Sequence, residues 1–280
     1  MLEECEEECS AIGLKSDREV RRNKNFKYNS VLEPKYNIPS VERIVNGTEA
    51  ELGQFPWMVA LGIGDSSDPS FICGGSLISN RHVITAAHCL PVDIVRVADL
   101  NLDNDQDGAH SFQDNVLSQT AHPQYNANTL ENDVAIVKTT RTVTLTDLRY
   151  PISLPFKLEN DCIEGENVLI TGWGTTSYGG NSSPHLLYAV VPVVSLDDCK
   201  AAYAQYQQDI DNRNICAGYK QGGTDTCQGD SGGPLMAVRS NTPYVVGITS
   251  WGYECARPNY PGVYTRVKAF EDFIKKQLAQ

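Results

Sequence analysis

Short apolar segments punctuated by glycine, proline and asparagine fill the chain from residue 55 to its end. They are rich in β-branched and aromatic residues, which is typical of strands in antiparallel sheets. Examples of the predicted strands are Met58–Ile63, Ser76–Ile78, Val83–Thr85, Val134–Val137, Val168–Thr171, Val190–Val194, Tyr244–Trp251 and Val263–Val267. Only the last dozen or so residues show helical periodicity, with Phe270, Phe273, Ile274 and Leu278 on one face. The pattern therefore predicts an all-β chain with a C-terminal helix.

Residues 1–43 lack this pattern. An acidic cluster within residues 3–8 is followed by a basic one within residues 15–27, and apolar residues are scattered without a period. Such a composition gives little apolar surface to bury. We therefore expect residues 1–43 to be a leader and residues 44–280 to form the folded body.

Composition narrows the classes of partner. The 280 residues are 41% apolar and 21% charged, an ordinary balance for one large or two small domains. The net charge of −12 argues against a nucleic-acid partner and favours cationic substrates. No apolar run approaches the roughly 18 residues of a membrane span, so no membrane association is expected.

Nine cysteines indicate an oxidising compartment, because neither Cys-x-x-Cys nor metal-type Cys/His spacing occurs. The sequence therefore predicts a secreted protein, although its first residues carry no hydrophobic signal region. Asn46 and Asn181 lie in candidate glycosylation sequons, the second weakened by Pro184.

A nucleophile is predicted in the glycine-rich stretch from Asp225 to Leu235. Glycines around Ser231 allow a tight turn in which the N–H groups of Gly229 and Ser231 can converge on an oxyanion. A chance serine in a turn is the alternative. The stretch also matches the Gly-x-Ser-x-Gly elbow of α/β-hydrolases, whose histidine follows the serine. All five histidines precede Ser231 here, at positions 82, 88, 110, 122 and 185, which excludes that class.

His88 and Asp133 are the candidate partners of Ser231. His88 follows a predicted strand, and Asp133 begins an apolar β-branched run. A structural role is as plausible as a catalytic one for either residue alone. Together they give the order His, Asp, Ser, and the chain from Ile44 onward resembles the trypsin/chymotrypsin family of serine proteases.

This resemblance implies two antiparallel six-stranded β-barrels that divide near residues 150–160 and carry the active site between them. It implies a triad in which His88 is the base, Asp133 orients it and Ser231 forms an acyl-enzyme. Cleavage after Arg43 would free the Ile44 ammonium to pair with Asp230, so an activating trypsin-like protease is an expected partner. Protein inhibitors are further expected partners.

The resemblance also defines a substrate pocket. Asp225 matches the carboxylate at its base, and Gly252 and Gly262 match the glycines of its walls. Ser250 and Trp251 belong to a segment that would pair with the substrate backbone, and Ser250 would also hydrogen-bond the triad aspartate. Peptide bonds after Arg or Lys are thus the expected target.

The family pattern pairs the cysteines as Cys73–Cys89, Cys199–Cys216 and Cys227–Cys255. Cys5, Cys9 and Cys162 remain. In several relatives a leader cysteine bonds to the protease body, so a tether from Cys5 or Cys9 to Cys162 is expected here.

An acidic loop between His88 and Asp133 is a candidate calcium site, although no cofactor is expected to be required. Asp103, Asp105, Asp107 and Gly108 match the start of a calcium loop, with Asp114 at its twelfth position. Asp99 and Asn101 match positions used by calcium-binding relatives. A solvated acidic loop is the alternative.

Two rival functions stay open. A digestive trypsin would share every motif with a cascade protease, although the long cysteine-containing leader favours a cascade role. A catalytically silent homologue that acts as a binding module would be expected to lack a triad residue, and none is missing.

Overall fold

The computed structural model describes residues 47–158, 162–175, 180–206, 208–223, 226, 229–253 and 257–280. Leader residues 1–43, and with them Arg43, Cys5 and Cys9, lie outside this range, as do Ile44, Asn46, Asp225, Cys227 and Cys255.

Six antiparallel strands close into the first barrel. They follow one another around it in the order β2, β3, β4, β7, β6, β5. Their bounds are β2 (Met58–Ile63), β3 (Ser70–Leu77), β4 (His82–Thr85), β5 (Ile94–Val97), β6 (Phe112–Ala121) and β7 (Ala135–Thr139). Buried Leu61, Leu77 and Ile84 contribute to the hydrophobic core of this half.

A second closed barrel follows along the chain, in the order β8, β9, β10, β13, β12, β11. The short β1 (Thr48–Glu49) extends it by pairing with β9. The strands are β8 (Asn167–Gly172), β9 (Leu187–Val194), β10 (Asn214–Ala217), β11 (Pro234–Arg239), β12 (Thr242–Trp251) and β13 (Gly262–Arg266). The predicted fold class, two six-stranded antiparallel barrels, is therefore confirmed.

The predicted strands all correspond to observed ones, but β1, β5, β6, β10 and β11 were not predicted from the pattern. β6 shows why: its one buried residue is Asp114, whereas the apolar Leu117 is exposed, so the strand has no apolar run to mark it. Pairing with β5 and β7 nonetheless makes it a barrel strand.

The structure contains a helix that periodicity did not predict, α1 (Leu196–Tyr203). Its start was readable from the sequence, because Ser195 is an N-cap whose side chain accepts a hydrogen bond from the Asp198 N–H at 3.0 Å. The expectation that only the C-terminal residues form a helix was therefore wrong. That helix is present as α2 (Glu271–Leu278).

Contacts between barrels hold the two halves together. The Trp57 indole N–H of the first barrel donates to Met236 Sδ of the second at 3.2 Å, and Trp57 is buried. The rings of Phe270 and Phe273 meet that of His122 edge to face, with centroids 5.2 and 5.0 Å away. The C-terminal segment thus packs against the loop that follows β6.

Two of the expected disulfides are present, Cys73–Cys89 and Cys199–Cys216. Cys162 is also disulfide-bonded, and its partner lies outside the described residues. Within the described residues, neither helix has the length and apolarity needed to cross a bilayer.

Candidate active site

Strand register brings His88 and Asp133 to the same end of the first barrel. β4 and β7 are antiparallel, with Thr85 opposite Ala135. His88 follows β4 in a short 3-10 turn, and Asp133 lies two residues before the start of β7. Cys89, bonded to Cys73 on β3, anchors that turn. Residues 45 positions apart in the chain are therefore neighbours in the fold.

The Asp133 carboxylate is buried and accepts three hydrogen bonds. Oδ2 lies 2.7 Å from His88 Nδ1, and Oδ1 accepts from the His88 backbone N–H at 2.9 Å. Ser250 Oγ donates to Oδ2 at 2.5 Å, as expected from the resemblance. Asp133 has 0% exposure. A buried carboxylate bonded in this way keeps the imidazole proton on Nδ1, which leaves Nε2 free to act as a base.

One support of Asp133 escaped sequence reasoning. Thr265 on β13 donates its hydroxyl to the Asp133 backbone carbonyl at 2.9 Å, and Thr265 is buried. The two residues are 132 positions apart, and a lone threonine in a strand carries no local signal of such a contact. The second barrel therefore holds Asp133 through both Ser250 and Thr265.

The turn that carries Ser231 lies against the first barrel. Gly74 N–H on β3 donates to the Ser231 carbonyl at 2.7 Å, and Gly232 N–H donates to the Thr249 carbonyl at 2.8 Å. Gly232 has a φ of +78°, and a Cβ there would lie 2.1 Å from Thr85 Oγ1. Only glycine fits this approach. The contact sets the Ser231 turn beside the end of β4, from which the chain continues to His88.

Asp230 lies in a recess lined by glycine. Its Oδ1 accepts a hydrogen bond from the Gly174 N–H at 2.8 Å. A Cβ on Gly172 would lie 2.0 Å from Asp230 Oδ1, and one on Gly174 would lie 2.5 Å from Asp230 Cγ. The two glycines flanking Trp173 thus make room for the carboxylate that the resemblance assigns to activation.

The two glycines predicted to form the pocket walls lie just after the end of β12 and at the start of β13. β12 and β13 pair with Trp251 opposite Val263, after an irregularity between Thr249 and Trp251. A Cβ on Gly252 would lie 3.8 Å from the Gly262 Cα, so the two predicted wall glycines face each other. The structure brings Ser250, Trp251, Gly252 and Gly262 to one place.

Tyr203 joins the two segments that carry the predicted wall glycines, a role that sequence reasoning missed. Its hydroxyl donates to the Pro261 carbonyl at 2.7 Å and accepts from the Tyr253 N–H at 3.3 Å. It therefore links the segments that follow Gly252 and precede Gly262. Tyr203 belongs to α1, the helix that was not predicted, which explains why its role was not foreseen.

The predicted calcium ligands of the acidic loop lie in different surroundings, and the calcium site stays a prediction. Asp103 and Asp105 are exposed, whereas Asp107 accepts hydrogen bonds from three backbone N–H groups, those of residues 100, 101 and 109. Asp114 instead accepts from the Thr140 hydroxyl and from Arg141. Within the described residues, no three carboxylates of this loop converge on a common point.

Backbone N–H groups already bind the Asp107 carboxylate oxygens that a metal ion would need. Partial burial raises the pKa of Asp107, but these N–H donors outweigh it and hold the pKa below its usual value. Asp107 thus acts as an internal cap of its loop. Cys73, His88 and Cys89 do lie close together, but the cysteines are joined in a disulfide and His88 bonds Asp133.

Asp99 in this loop should make stability depend on pH. Burial raises its pKa to about 6, against the opposing charge of Arg96 3.2 Å away, and Asp107 raises it further. An unfolded aspartate titrates near 3.9. Between these two pH values Asp99 stays protonated in the folded chain but has lost its proton in the unfolded chain. The contribution of Asp99 to the free energy of unfolding therefore falls as pH rises from about 4 to about 6.

We therefore expect the unfolding free energy of Asp99→Asn, relative to the parent, to rise over that interval by on the order of 2–3 kcal/mol. Denaturant unfolding at several pH values, in chelator, measures it. Exposed Asp147→Asn is the control and should follow the parent. Parallel curves for parent and Asp99→Asn would contradict the expectation.

Together, a buried Asp–His pair, a glycine-flanked serine and two closed barrels define a serine protease. The chain belongs to the trypsin family, whose model, described as Trypsin, matches residues 44–274. It is similar to the venom serine protease Bi-VSP of Bombus ignitus, 43% identical over 83% of this chain and 68% of that protein. It is also similar to a venom protease of Bombus pensylvanicus, 45% identical over 82% of this chain and 96% of that protein.

A third relative is the proclotting enzyme of Tachypleus tridentatus, 41% identical over 84% of this chain and 66% of that protein. The match to the family model covers both barrels and every candidate site residue except Arg43. The chain is thus a trypsin-like serine endopeptidase.

Proposed function

We propose that this protein is a secreted protease zymogen, activated by cleavage after Arg43, that hydrolyses peptide bonds after Arg or Lys. The observation that carries the proposal is the buried Asp133 carboxylate, which binds His88 through both the imidazole and the backbone N–H. Such an arrangement prepares Nε2 of His88 to accept a proton.

In the proposed reaction, His88 Nε2 takes the proton of Ser231 Oγ as that oxygen attacks the substrate carbonyl. The N–H groups of Gly229 and Ser231 stabilise the resulting oxyanion. His88 then gives the proton to the leaving amine, the C–N bond breaks and an acyl-enzyme remains on Ser231. Water, deprotonated by His88, attacks the acyl-enzyme, and its proton returns to Ser231 as the acid product leaves.

Specificity for Arg and Lys is assigned to Asp225, which lies outside the described residues. What supports the assignment is the opposed pair Gly252 and Gly262, because walls without side chains admit a long cationic side chain. A carboxylate in a narrow slot requires a cationic partner.

Activation is assigned to the Ile44 ammonium, which cleavage after Arg43 would create. The recess around Asp230 supports this, since a carboxylate held between Gly172 and Gly174 can exchange or add a charged partner close to the oxyanion loop. The bonded state of Cys162 supports a covalent tether from Cys5 or Cys9, so that the leader stays attached after cleavage.

A cascade role is proposed ahead of a digestive one. One of the relatives is named as a proclotting enzyme, and this chain carries a leader with its own cysteines. Relatives named as trypsins, from Aedes aegypti and Astacus astacus, are the basis for the digestive alternative. The cascade and digestive roles would be separated by assaying the activated protein on a peptide library. Each peptide would contain the activation junction of a natural zymogen with Arg before the cleaved bond.

Cleavage after Arg43 tests the proposal. The purified chain, cut by an immobilised protease that is then removed, should gain activity on Arg and Lys anilides and show Ile44 as a new N-terminus. Arg43→Gln is the matched control and should stay uncut and inactive. Asp225→Ser in the cut protein should lose most of the preference for Arg and Lys while remaining folded.

The same samples test the tether. Non-reducing electrophoresis should show one band that splits on reduction, with a bridge from Cys5 or Cys9 to Cys162 in the mass spectrum. A fully active uncut chain would exclude the zymogen mechanism, and a free thiol at Cys162 would exclude the tether.

A further inference from the structure

A cavity of about 560 Å³ lies beside the oxyanion loop. Gly229, Cys73 and Trp173 line it on the side of the catalytic centre, and Phe71, Asp68 and Asp103 line it farther out. Its described lining contains none of Ser250–Gly252 and not Gly262. The cavity is therefore separate from the primary pocket and adjoins the site at the oxyanion donor.

The outer walls of this cavity are acidic. Asp68 belongs to the loop between β2 and β3, Asp103 belongs to the loop between β5 and β6, and both are exposed. Arg96 is the basic residue in the described lining, but its charge is compensated by Asp99 at 3.2 Å and its guanidinium lies over the Phe71 ring. The two aspartates thus leave the cavity with an excess of negative charge.

The position of the cavity indicates which part of a substrate it would receive. This step rests on the proposed function, in which the acyl half of the substrate lies along Ser250–Gly252 and its carbonyl oxygen points to Gly229. The leaving half must then continue away from those residues, toward Cys73 and Trp173. We propose that the cavity binds the residues that follow the scissile bond and selects Lys or Arg among them.

Peptides that differ only after the scissile bond test this selection. Internally quenched peptides would share one sequence up to the cleaved Arg and carry Lys-Lys, Ser-Ser or Glu-Glu two and three places beyond it. With the activated protein, kcat/KM for the Lys-Lys peptide should exceed that for Glu-Glu by about 3- to 10-fold, the range for exposed charge pairs. The preference should shrink in high salt.

Variants assign the preference to the cavity. Asp68→Asn/Asp103→Asn should remove most of the difference between the peptides, whereas the control Asp147→Asn/Asp272→Asn, with the same change in charge, should keep it. An Arg anilide, which has no residue after the cleaved bond, should be hydrolysed equally by all three proteins.

Equal cleavage of the three peptides by the parent, or an undiminished preference in the cavity variant, would overturn the inference while leaving the proposed function intact. Failure of the activated parent to hydrolyse the Arg anilide would overturn both.

Discussion

Replacing Ser231 by alanine is expected to lower kcat by about 10⁶-fold, the magnitude established for loss of the nucleophile in serine protease triads. Without Oγ no acyl-enzyme can form, and His88 has no proton to transfer. The activated protein would be assayed on an Arg anilide and treated with a serine-directed phosphonate, which should label the parent on Ser231 and leave the variant unlabelled.

Folding of the variant has to be separated from chemistry. Ser118→Ala, at an exposed position on β6, is the matched control and should retain parental turnover and labelling. Ser231→Ala should melt close to the parent, because the Gly74 contact to this turn is made by the Ser231 backbone carbonyl and not by its hydroxyl. Undiminished turnover, or a phosphonate bound to another serine, would refute the assigned nucleophile.

Asp133→Asn is expected to lower kcat by about 10⁴-fold, as established for this substitution in related triads. An amide in this buried place can present N–H₂ to His88 Nδ1, which would favour the tautomer with its proton on Nε2. That tautomer cannot accept the proton of Ser231. Stopped assays of high sensitivity and a pH profile of kcat/KM would measure the loss.

Ser250→Ala gives a graded companion to this experiment. It removes one of the three donors to the Asp133 carboxylate but leaves both bonds to His88. A hydrogen bond to a charged group contributes about 1.5–3 kcal/mol, so a loss of roughly 10- to 100-fold is expected. Asp133→Asn with less than a tenfold loss, or a larger loss in Ser250→Ala, would contradict the assigned roles.

The acidic loop shows what a charge pattern leaves open, and its calcium site stays a prediction. Spaced aspartates from 103 to 114 match a calcium loop in sequence, but ligands must also point at one centre. Here Asp107 accepts hydrogen bonds from backbone N–H groups of its own loop, and Asp114 accepts one from Arg141, just after the neighbouring strand β7. The backbone conformation decides which carboxylate oxygens remain available to bind calcium. The spacing of aspartates in the sequence does not reveal that conformation.

The amino-acid sequence was sufficient to predict the class of protein and its candidate chemistry. Short apolar segments bounded by glycine, proline and asparagine predicted an all-β chain, because such runs are typical of strands. The glycines around Ser231 and the order of His88 and Asp133 predicted a triad because such chemistry needs a flexible turn, a base and an orienting carboxylate. Each motif is a short stretch of sequence, and the order of the motifs is read along the chain, so both can be recognised without knowledge of the fold.

The distant groups that support this chemistry became visible only in the folded protein. The donation from Thr265 to the Asp133 carbonyl, the Tyr203 link between the pocket walls and the fit of Gly232 against Thr85 all join residues far apart in the chain. Their side chains carry no local periodicity or motif, because each contact depends on strand register and on how the two barrels meet. Once the barrels close, the strand register places these residues next to one another. The sequence alone does not specify that register.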